Sequence, residues 1–231
     1  MWLPKRGPKI LLCVDWPMLG MLSDEERRRL LSASRRRRFT RNEVIFHEGD
    51  PANSLHLLDS GHVSVRVAMP DGNSVTLAIL GPGDTFGELA LLGGDARRAA
   101  TVTALERCET LSLQRERFDA LRRDHPRLDR LLAEILADEV RRLDARLLEF
   151  LYLPADKRVL RRLASLGKMY SDGVHRPVVV PLTQDVIAGL AGASRPTTNQ
   201  ALRAMEVTGV ISIGRSKIQI LDPGSLVRRA H

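Results

Sequence analysis

Cysteine and long apolar runs are scarce in this chain of 231 residues. Its 2 cysteines, Cys13 and Cys108, lie far apart in sequence, which excludes a disulfide framework and a CxxC metal site. No apolar run approaches the roughly 20 residues of a membrane span, and residues 10–14 are too short for the core of a signal peptide. Walker loops and nucleophile elbows are missing too. We therefore expect a cytoplasmic protein that is no enzyme, has no membrane partner, and holds no metal, haem or iron–sulfur cluster.

Positive charge is concentrated in the last third of the chain. Residues 155–231 hold 12 Lys and Arg against 5 Asp and Glu, a net of +7, whereas residues 1–154 hold 24 against 23. A basic segment joined to a neutral one suggests contact with a polyanion. A merely basic surface would give the same count, so charge alone leaves both interpretations open.

Short apolar runs separated by turn residues extend from residue 43 to residue 113. Many short strands at this spacing predict an antiparallel barrel or roll. A helix precedes them, with Ser23 as its N-cap and Glu26 at the capping-box position. The arginine run 35–38 fits a nucleic-acid patch or, as we favour, a solvated surface leading into a strand. We assign residues 1–20 to an N-terminal arm and 21–125 to the β-roll domain.

A long helix is predicted over residues 126–153. Its apolar residues are spaced 4, 3, 4 and 3 apart, which is a heptad seam. The seam residues are Leu136, Val140, Leu143, Leu147 and Phe150. An amphipathic helix packed on its own domain would also fit, but the narrow stripe favours a parallel homodimer.

The remaining segment, 154–231, has the pattern of a winged helix-turn-helix. We expect Asp156 to cap a helix over 157–167 that ends at Gly167. Helices capped by Thr183 and Ser194 flank the turn Gly192-Ala193, and two short strands joined by 214–217 form a wing. The outward side chains of the second helix would be Arg195, Thr198, Asn199, Gln200 and Arg203.

Each of these polar residues suits contact with DNA. Arginine and glutamine side chains can read guanine and adenine edges through paired hydrogen bonds. The hydroxyls of Thr183, Ser194 and Thr197 suit phosphate oxygens, and Arg215 and Lys217 make the tip of the wing basic. The alternative is that these residues only form a polar helix surface, but that would not account for the caps, the turn and the basic wing together.

Residues 86–102 carry the most specific pattern. Glu88 and Arg98 stand at the two ends of a loop bounded by strand-like runs, and Gly87 and small residues let the backbone close tightly. A carboxylate can accept a hydrogen bond from a sugar hydroxyl, while a guanidinium and loop N–H groups bind phosphate. The loop therefore has the chemistry to hold a ribose and a phosphate together.

Together these residues resemble the CRP/FNR family of bacterial transcription regulators, from about residue 22 to residue 220. The resemblance implies an α+β fold: an N-terminal antiparallel β-roll like that of cyclic-nucleotide-binding domains, a long dimerisation helix and a C-terminal winged helix-turn-helix. It also implies a homodimer that binds a palindromic operator in double-stranded DNA and contacts RNA polymerase. Ser194 and Arg195 match the Ser-Arg that opens the family's recognition helix, whereas Pro196 and Gln200 depart from the pattern of the cAMP receptor protein.

By the same resemblance, the effector would be cAMP or cGMP. Glu88 would bind the ribose and Arg98 the cyclic phosphate, helped by backbone N–H groups near Gly87, Leu89, Ala90 and Ala99. The family's adenine-binding Thr-Ser pair falls on Leu143 and Asp144, and a carboxylate pairs better with guanine than with adenine.

Two alternatives keep the DNA binding but change the sensor. A haem sensor could recruit among His47, His56, His62 and Cys108, whereas an iron–sulfur sensor needs about four cysteines. In a ligandless regulator, Glu88 and Arg98 would simply pair with each other.

Overall fold

The computed structural model describes residues 16–70, 72, 74–92, 96–173 and 177–230. Most of the predicted arm, including Cys13, lies outside them. The chain divides into two compact units, one of residues 1–64 and 79–136 and the other of residues 65–78 and 137–231. None of the described helices is long and apolar enough to cross a membrane.

Eight strands form two four-stranded sheets in the N-terminal part of the chain. The first sheet has the order β1-β8-β3-β6 and the second the order β2-β7-β4-β5. The strands are β1 (Arg35–Phe39), β2 (Val44–Phe46), β3 (Ser54–Ser60), β4 (Val63–Ala68), β5 (Ser74–Leu80), β6 (Thr85–Phe86), β7 (Thr101–Ala104) and β8 (Cys108–Gln114). This confirms the predicted roll.

Alternation along β3 and β8 gives the first sheet two different faces. One face is apolar and packs on helices in a core that contains Leu55, Leu57, Leu111 and Leu113 together with Trp16, Leu30, Phe118 and Leu131. The other face carries buried polar side chains, namely Ser54, His56, Thr110 and Ser112. Because Trp16 is 1% exposed, the chain enters this core before residue 21, where we had placed the start of the domain.

The arginine run is itself a strand, whereas the sequence suggested a surface leading into one. Arg36 pairs with Asp59 at 2.7 Å and with Glu109 at 2.6 Å, and Arg38 pairs with Glu109 at 2.9 Å. These acids on β3 and β8 of the same sheet compensate the repulsion between adjacent arginines, which sequence periodicity could not reveal.

Three helices accompany the sheets: α1 (Asp24–Ala33), α2 (Arg115–Asp124) and α3 (Arg127–Tyr152). The expected capping box is confirmed, because Ser23 and Glu26 bond reciprocally at the start of α1. The first turns of α3 bury their apolar residues, such as Leu131 and Ile135, in the core of the first unit.

The predicted seam lies on the later part of α3. Leu136 is partly buried against the core of the first unit. The other four seam residues are more than half exposed: Val140 by 56%, Leu143 by 53%, Leu147 by 56% and Phe150 by 59%. A stripe of this kind is typical of an interface that a single chain leaves open.

The second unit carries the elements of a winged helix-turn-helix. They are α4 (Ala155–Met169), β9 (Val178–Val180), α5 (Gln184–Ala191), α6 (Arg195–Val207), β10 (Ile211–Gly214), β11 (Lys217–Ile220) and α7 (Pro223–Ala230). The wing strands extend into a three-stranded sheet of order β10-β11-β9.

Both predicted ends of α4 are wrong. The N-cap position is Pro154, so Asp156 lies in the first turn and does not cap. The helix also continues through Gly167 to Met169. A Cβ on Gly167 would lie 2.5 Å from Cδ1 of Ile220, so this glycine permits close packing of the helix on β11 and does not terminate it.

Candidate functional site

The loop between β6 and β7 starts with a sharp turn at Gly87. This residue has φ 80°, in the left-handed region that favours glycine. Residues 88–91 then form one turn of 3-10 helix, which places Glu88 partly exposed, Leu89 exposed and Ala90 fully buried. At the far end of the loop, Arg98 is 6% exposed, whereas its neighbour Ala99 is exposed.

Ser54 on β3 holds the end of the Arg98 side chain. Nη1 of Arg98 donates to the Ser54 carbonyl at 2.8 Å, and Nη2 donates to the Ser54 hydroxyl at 2.9 Å. Nη1 also donates to the Gly87 carbonyl at 3.4 Å. The guanidinium lies over the ring of Phe46, 4.0 Å from its centroid, which adds a cation–π contact.

These bonds leave one N–H of the guanidinium without a partner among the described residues. Ser54 occupies the edge formed by Nη1 and Nη2, while Nε is buried and has no hydrogen-bond partner among the described residues. The Nε–H and the remaining Nη2–H point the same way and form the two-pronged donor that carboxylates and phosphates accept. Arg98 is therefore held by Ser54 and Gly87 and keeps one buried N–H donor without a described partner.

The electrostatics of Arg98 also favour an anion. Burial lowers the pKa of Arg98, and the charges of Glu88 and Asp50 raise it in part. Among the described residues, the guanidinium donates its hydrogen bonds to Ser54 and Gly87, and the bond to Glu88 that a ligandless regulator would need is not among them.

Glycine is required at position 87 for a second reason. A Cβ there would lie 2.5 Å from Nη1 of Arg98 and 2.9 Å from the carbonyl oxygen of Ser54. The Arg98 side chain and the Ser54 carbonyl therefore fit against the turn only because residue 87 has no side chain. Sequence patterns marked Gly87 and Arg98, but nothing in them marked Ser54 or Phe46.

A cavity of about 370 Å³ adjoins this arrangement in the first unit. Its walls come from strands of both sheets and include Arg98, Ser54, His56, Phe46 and Asp50. Residues 87–90 are not among them. The volume falls in the range of small-molecule sites in proteins.

Asp144 and the loop belong to different units of the chain. Asp144 is exposed on α3 and belongs to the second unit. Its role in reading the base stays a prediction. Two of the three histidines considered for haem have other side-chain partners: His56 contacts Ser54 and Thr110, and His62 contacts Glu106. Among the described residues, no group of three or more His, Cys, Asp or Glu could hold a metal ion.

The helix-turn-helix is capped as expected. The Thr183 hydroxyl accepts from the Val186 N–H, and the Ser194 hydroxyl accepts from the Thr197 N–H. Between the helices, Gly192 takes the left-handed conformation with φ 56°. Gly192 ends α5 and the Ser194 cap begins α6, so these two residues fix the length of the turn between the helices.

The structure places most of the predicted DNA-reading side chains on the surface. Arg195, Asn199, Gln200 and Arg203 on α6 and Arg215 and Lys217 on the wing are exposed, and Thr197 is partly exposed. Arg195 pairs with Asp185 at 2.8 Å, and Arg203 pairs with Glu206 at 2.6 Å. Exposed pairs of this kind are weak, so phosphates or bases can replace the acids.

Thr198 is a correction to the predicted surface. It is fully buried, because it lies three, four and seven residues before the core residues Ala201, Leu202 and Met205. Its hydroxyl has no hydrogen-bond partner among the described residues.

Comparison with known proteins supports the family expected for each of the two parts of the chain. Residues 36–125 match the cyclic nucleotide-binding domain, and residues 157–229 match the Crp-like helix-turn-helix domain. A CRP-like cAMP-activated global transcriptional regulator of Mycobacterium tuberculosis is 32% identical to this chain over 194 residues, which are 83% of this chain and 86% of the relative. The chain belongs to the CRP/FNR family of transcription regulators.

Two relatives from Thermus thermophilus extend this finding. The crystal structure of the catabolite activator protein shares 33% identity over 93% of this chain and 98% of its own, with a TM-score of 0.53. A transcriptional regulator of the CRP family shares 29% identity over 84% of this chain and 96% of its own, with a TM-score of 0.70. The expected fold is therefore confirmed, and the chain is a DNA-binding transcription regulator and not an enzyme.

Proposed function

We propose that the chain works as a cytoplasmic homodimer whose DNA binding is gated by a cyclic nucleotide at Arg98. The observation that carries this is the buried guanidinium, whose Nε–H has no hydrogen-bond partner among the described residues. An anion with two oxygens in one plane satisfies that edge, and the cyclic phosphate offers such a pair. The relatives named for activation by cAMP support this class of ligand.

In this proposal each part of the loop has its own role. Arg98 binds the phosphate while Ser54 occupies the Nη1–Nη2 edge, and Glu88 accepts a hydrogen bond from the ribose hydroxyl. The N–H groups of Leu89, Ala90 and Ala99 are the further donors. Ligand binding would favour one of two arrangements of the dimer and so change the presentation of the recognition helices.

The exposed seam supports the homodimer. Four apolar side chains at a and d positions stay more than half exposed in the single chain, and a second copy of α3 in parallel would cover them. The substitution Leu143→Asp should give a monomer in sedimentation. The matched variant Ala145→Asp, on the same helix at an outward heptad position, should remain a dimer. A dimeric Leu143→Asp variant would place the interface elsewhere.

A dimer with two recognition helices predicts a palindromic operator. Gln200, exposed on α6 without the acidic partners of Arg195 and Arg203, would read one base pair in each half-site. The wing residues Arg215 and Lys217 and the hydroxyls of Thr183, Ser194 and Thr197 would bind phosphates. Contact with RNA polymerase remains a prediction from the family.

Selection from a randomised duplex library tests DNA binding and gating together. Pools selected with cAMP, with cGMP and with neither should converge on one palindrome, with affinity raised at least roughly tenfold by one nucleotide. Gln200→Ala should relax one position of each half-site, whereas Val207→Ala at the far end of α6 should change nothing. Equal affinity with and without nucleotide would contradict gating while leaving the DNA-binding function intact.

The preferred base is a separate question. If Asp144 reads the base, cGMP should bind more tightly than cAMP, because guanine offers adjacent N1–H and N2–H donors. Asp144→Asn should then reduce the ratio of the two affinities. An unchanged ratio would remove Asp144 from the ligand site.

A further inference from the structure

A chain of buried polar side chains leads from Arg98 into the first sheet. Nη2 of Arg98 donates to the Ser54 hydroxyl, which lies 3.3 Å from Nε2 of His56. Nδ1 of His56 lies 3.1 Å from the hydroxyl of Thr110. All four side chains are at most 6% exposed, so solvent does not supply alternative partners.

Hydrogen-bond donors fix the direction of this chain. A guanidinium can only donate, so the Ser54 oxygen accepts from Arg98 and its own hydrogen has to go elsewhere. The acceptor that lies beside it is Nε2 of His56. His56 must then carry its proton on Nδ1 and donate to Thr110. With the proton on Nε2 instead, the hydrogen of the Ser54 hydroxyl would be left without a described acceptor.

Aromatic contacts also connect His56 with the two other groups that contact Arg98, the Phe46 ring and the turn at Gly87. Its ring is stacked on Phe86, with centroids 5.0 Å apart and planes at 8°. Phe86 directly precedes Gly87, the turn residue whose carbonyl accepts from Arg98. His56 also contacts Phe46, the ring under the guanidinium, at 6.1 Å between centroids. The His56 ring therefore contacts Ser54, the Phe46 ring under the guanidinium, and Phe86 at the start of the loop.

We propose that His56, as the neutral Nδ1–H tautomer, is the positioning residue of the Arg98 site, setting the Ser54 hydroxyl that holds the guanidinium for its anion. Burial, together with the charges of Arg98 and Arg37, lowers the pKa of His56 to about 3. The imidazole thus stays neutral throughout the physiological range and does not repel Arg98. The effect of His56 on ligand binding rests on the proposed function, in which Arg98 binds a cyclic nucleotide. The tautomer of His56 and its hydrogen bonds are independent of that proposal.

Calorimetric titration of the full chain with cAMP and cGMP tests the role. His56→Phe keeps an aromatic ring but removes both ring nitrogens, and Ser54→Ala removes only the hydroxyl. Each should weaken binding of the preferred nucleotide roughly tenfold, the value of one typical hydrogen bond. The matched control Ser64→Ala, another buried serine of the roll, bonded to the Thr103 carbonyl, should bind like the parent chain.

A double-mutant cycle separates positioning from general loosening. If His56 acts through Ser54, the double variant should bind no more weakly than the worse single variant. Fully additive losses, or full affinity in both single variants, would overturn the proposal. Ser54→Ala keeps the comparison possible if His56→Phe does not fold.

Nitrogen-15 NMR of the histidines gives a readout that needs no ligand. The signals of His56, identified by their loss in His56→Phe, should show Nδ1 protonated and Nε2 unprotonated, without titration between pH 8 and pH 5. A proton on Nε2, or titration near pH 6.5, would overturn the proposal even if neither nucleotide binds. Failure to bind either nucleotide with the expected tautomer would instead refute the proposed function alone.

Discussion

The Arg98 site and the DNA-reading surface of α6 use polar side chains in opposite ways. At Arg98 the polar groups are buried, each bonded to the next, and backed by aromatic rings. On α6 they are exposed and joined to acids by pairs that solvent screens. The first arrangement holds one side chain in one orientation before the ligand arrives. The second leaves side chains free to adjust to a groove and tolerates substitution.

The substitution Gly87→Ala should have the largest effect on the Arg98 site. Its Cβ would collide with Arg98 and Ser54, so nucleotide affinity should fall at least roughly hundredfold, as expected from losing two hydrogen bonds to a charged group. Gly49→Ala is the matched control, because Gly49 has nearly the same φ, 84°, with nothing within 4 Å of a Cβ. Gly49→Ala should lose only the stability that its positive φ costs, Gly87→Ala should lose more because of the collision, and only Gly87→Ala should lose binding. Equal affinities would mean that the turn does not shape the arginine.

A smaller effect follows from pH. A base whose pKa is lower in the folded protein than in the unfolded chain binds a proton more readily when the chain is unfolded. The free energy of unfolding is therefore highest above the unfolded pKa and falls as the pH drops below it. For His56, with pKa about 3 in the fold and about 6.5 unfolded, the free energy of unfolding should fall by about 2 kcal/mol between pH 7.5 and pH 5. Urea unfolding at both values should show a drop smaller by this amount in His56→Phe. Identical drops would place the His56 ring in contact with water.

The smallest effect compares two buried threonines. Thr110 and Thr198 are both 0% exposed, but the hydroxyl of Thr110 is bonded to His56 whereas that of Thr198 has no described partner. Thr110→Val should therefore lower the free energy of unfolding by about 1–3 kcal/mol, whereas Thr198→Val should leave it unchanged or raise it, because it removes a buried hydroxyl that has no described partner. Equal losses in thermal unfolding would show that Thr198 has a partner of its own.

Sequence patterns predicted what depends on local spacing. Ser23, Thr183 and Ser194 cap their helices as expected, and alternating and heptad apolar residues gave the roll and the long helix. These features require only contacts within a few residues. Gly87 could be marked as well, because a tight turn favours glycine wherever it occurs.

The rest depends on contacts distant in sequence. Ser54 is 44 residues from Arg98, and no local pattern distinguishes it from a serine facing solvent. Gly167 looked like a helix end because its packing against Ile220 is invisible in a linear reading. Thr198 was misplaced because polarity outweighed its position on the same helical face as Leu202. Recognising the family supplied the roles of Glu88 and Arg98, but not the residues that hold them.

Calorimetric titration with cAMP and cGMP of three forms of the chain tests the central claim most directly. The forms are the parent chain, Arg98→Ala and Arg97→Ala, which removes the neighbouring exposed arginine that donates to the Gly49 carbonyl. We expect one nucleotide to bind the parent and Arg97→Ala with equal affinity, and Arg98→Ala to lose at least roughly hundredfold. Unchanged affinity in Arg98→Ala would contradict the assignment of Arg98 as the residue that binds the phosphate.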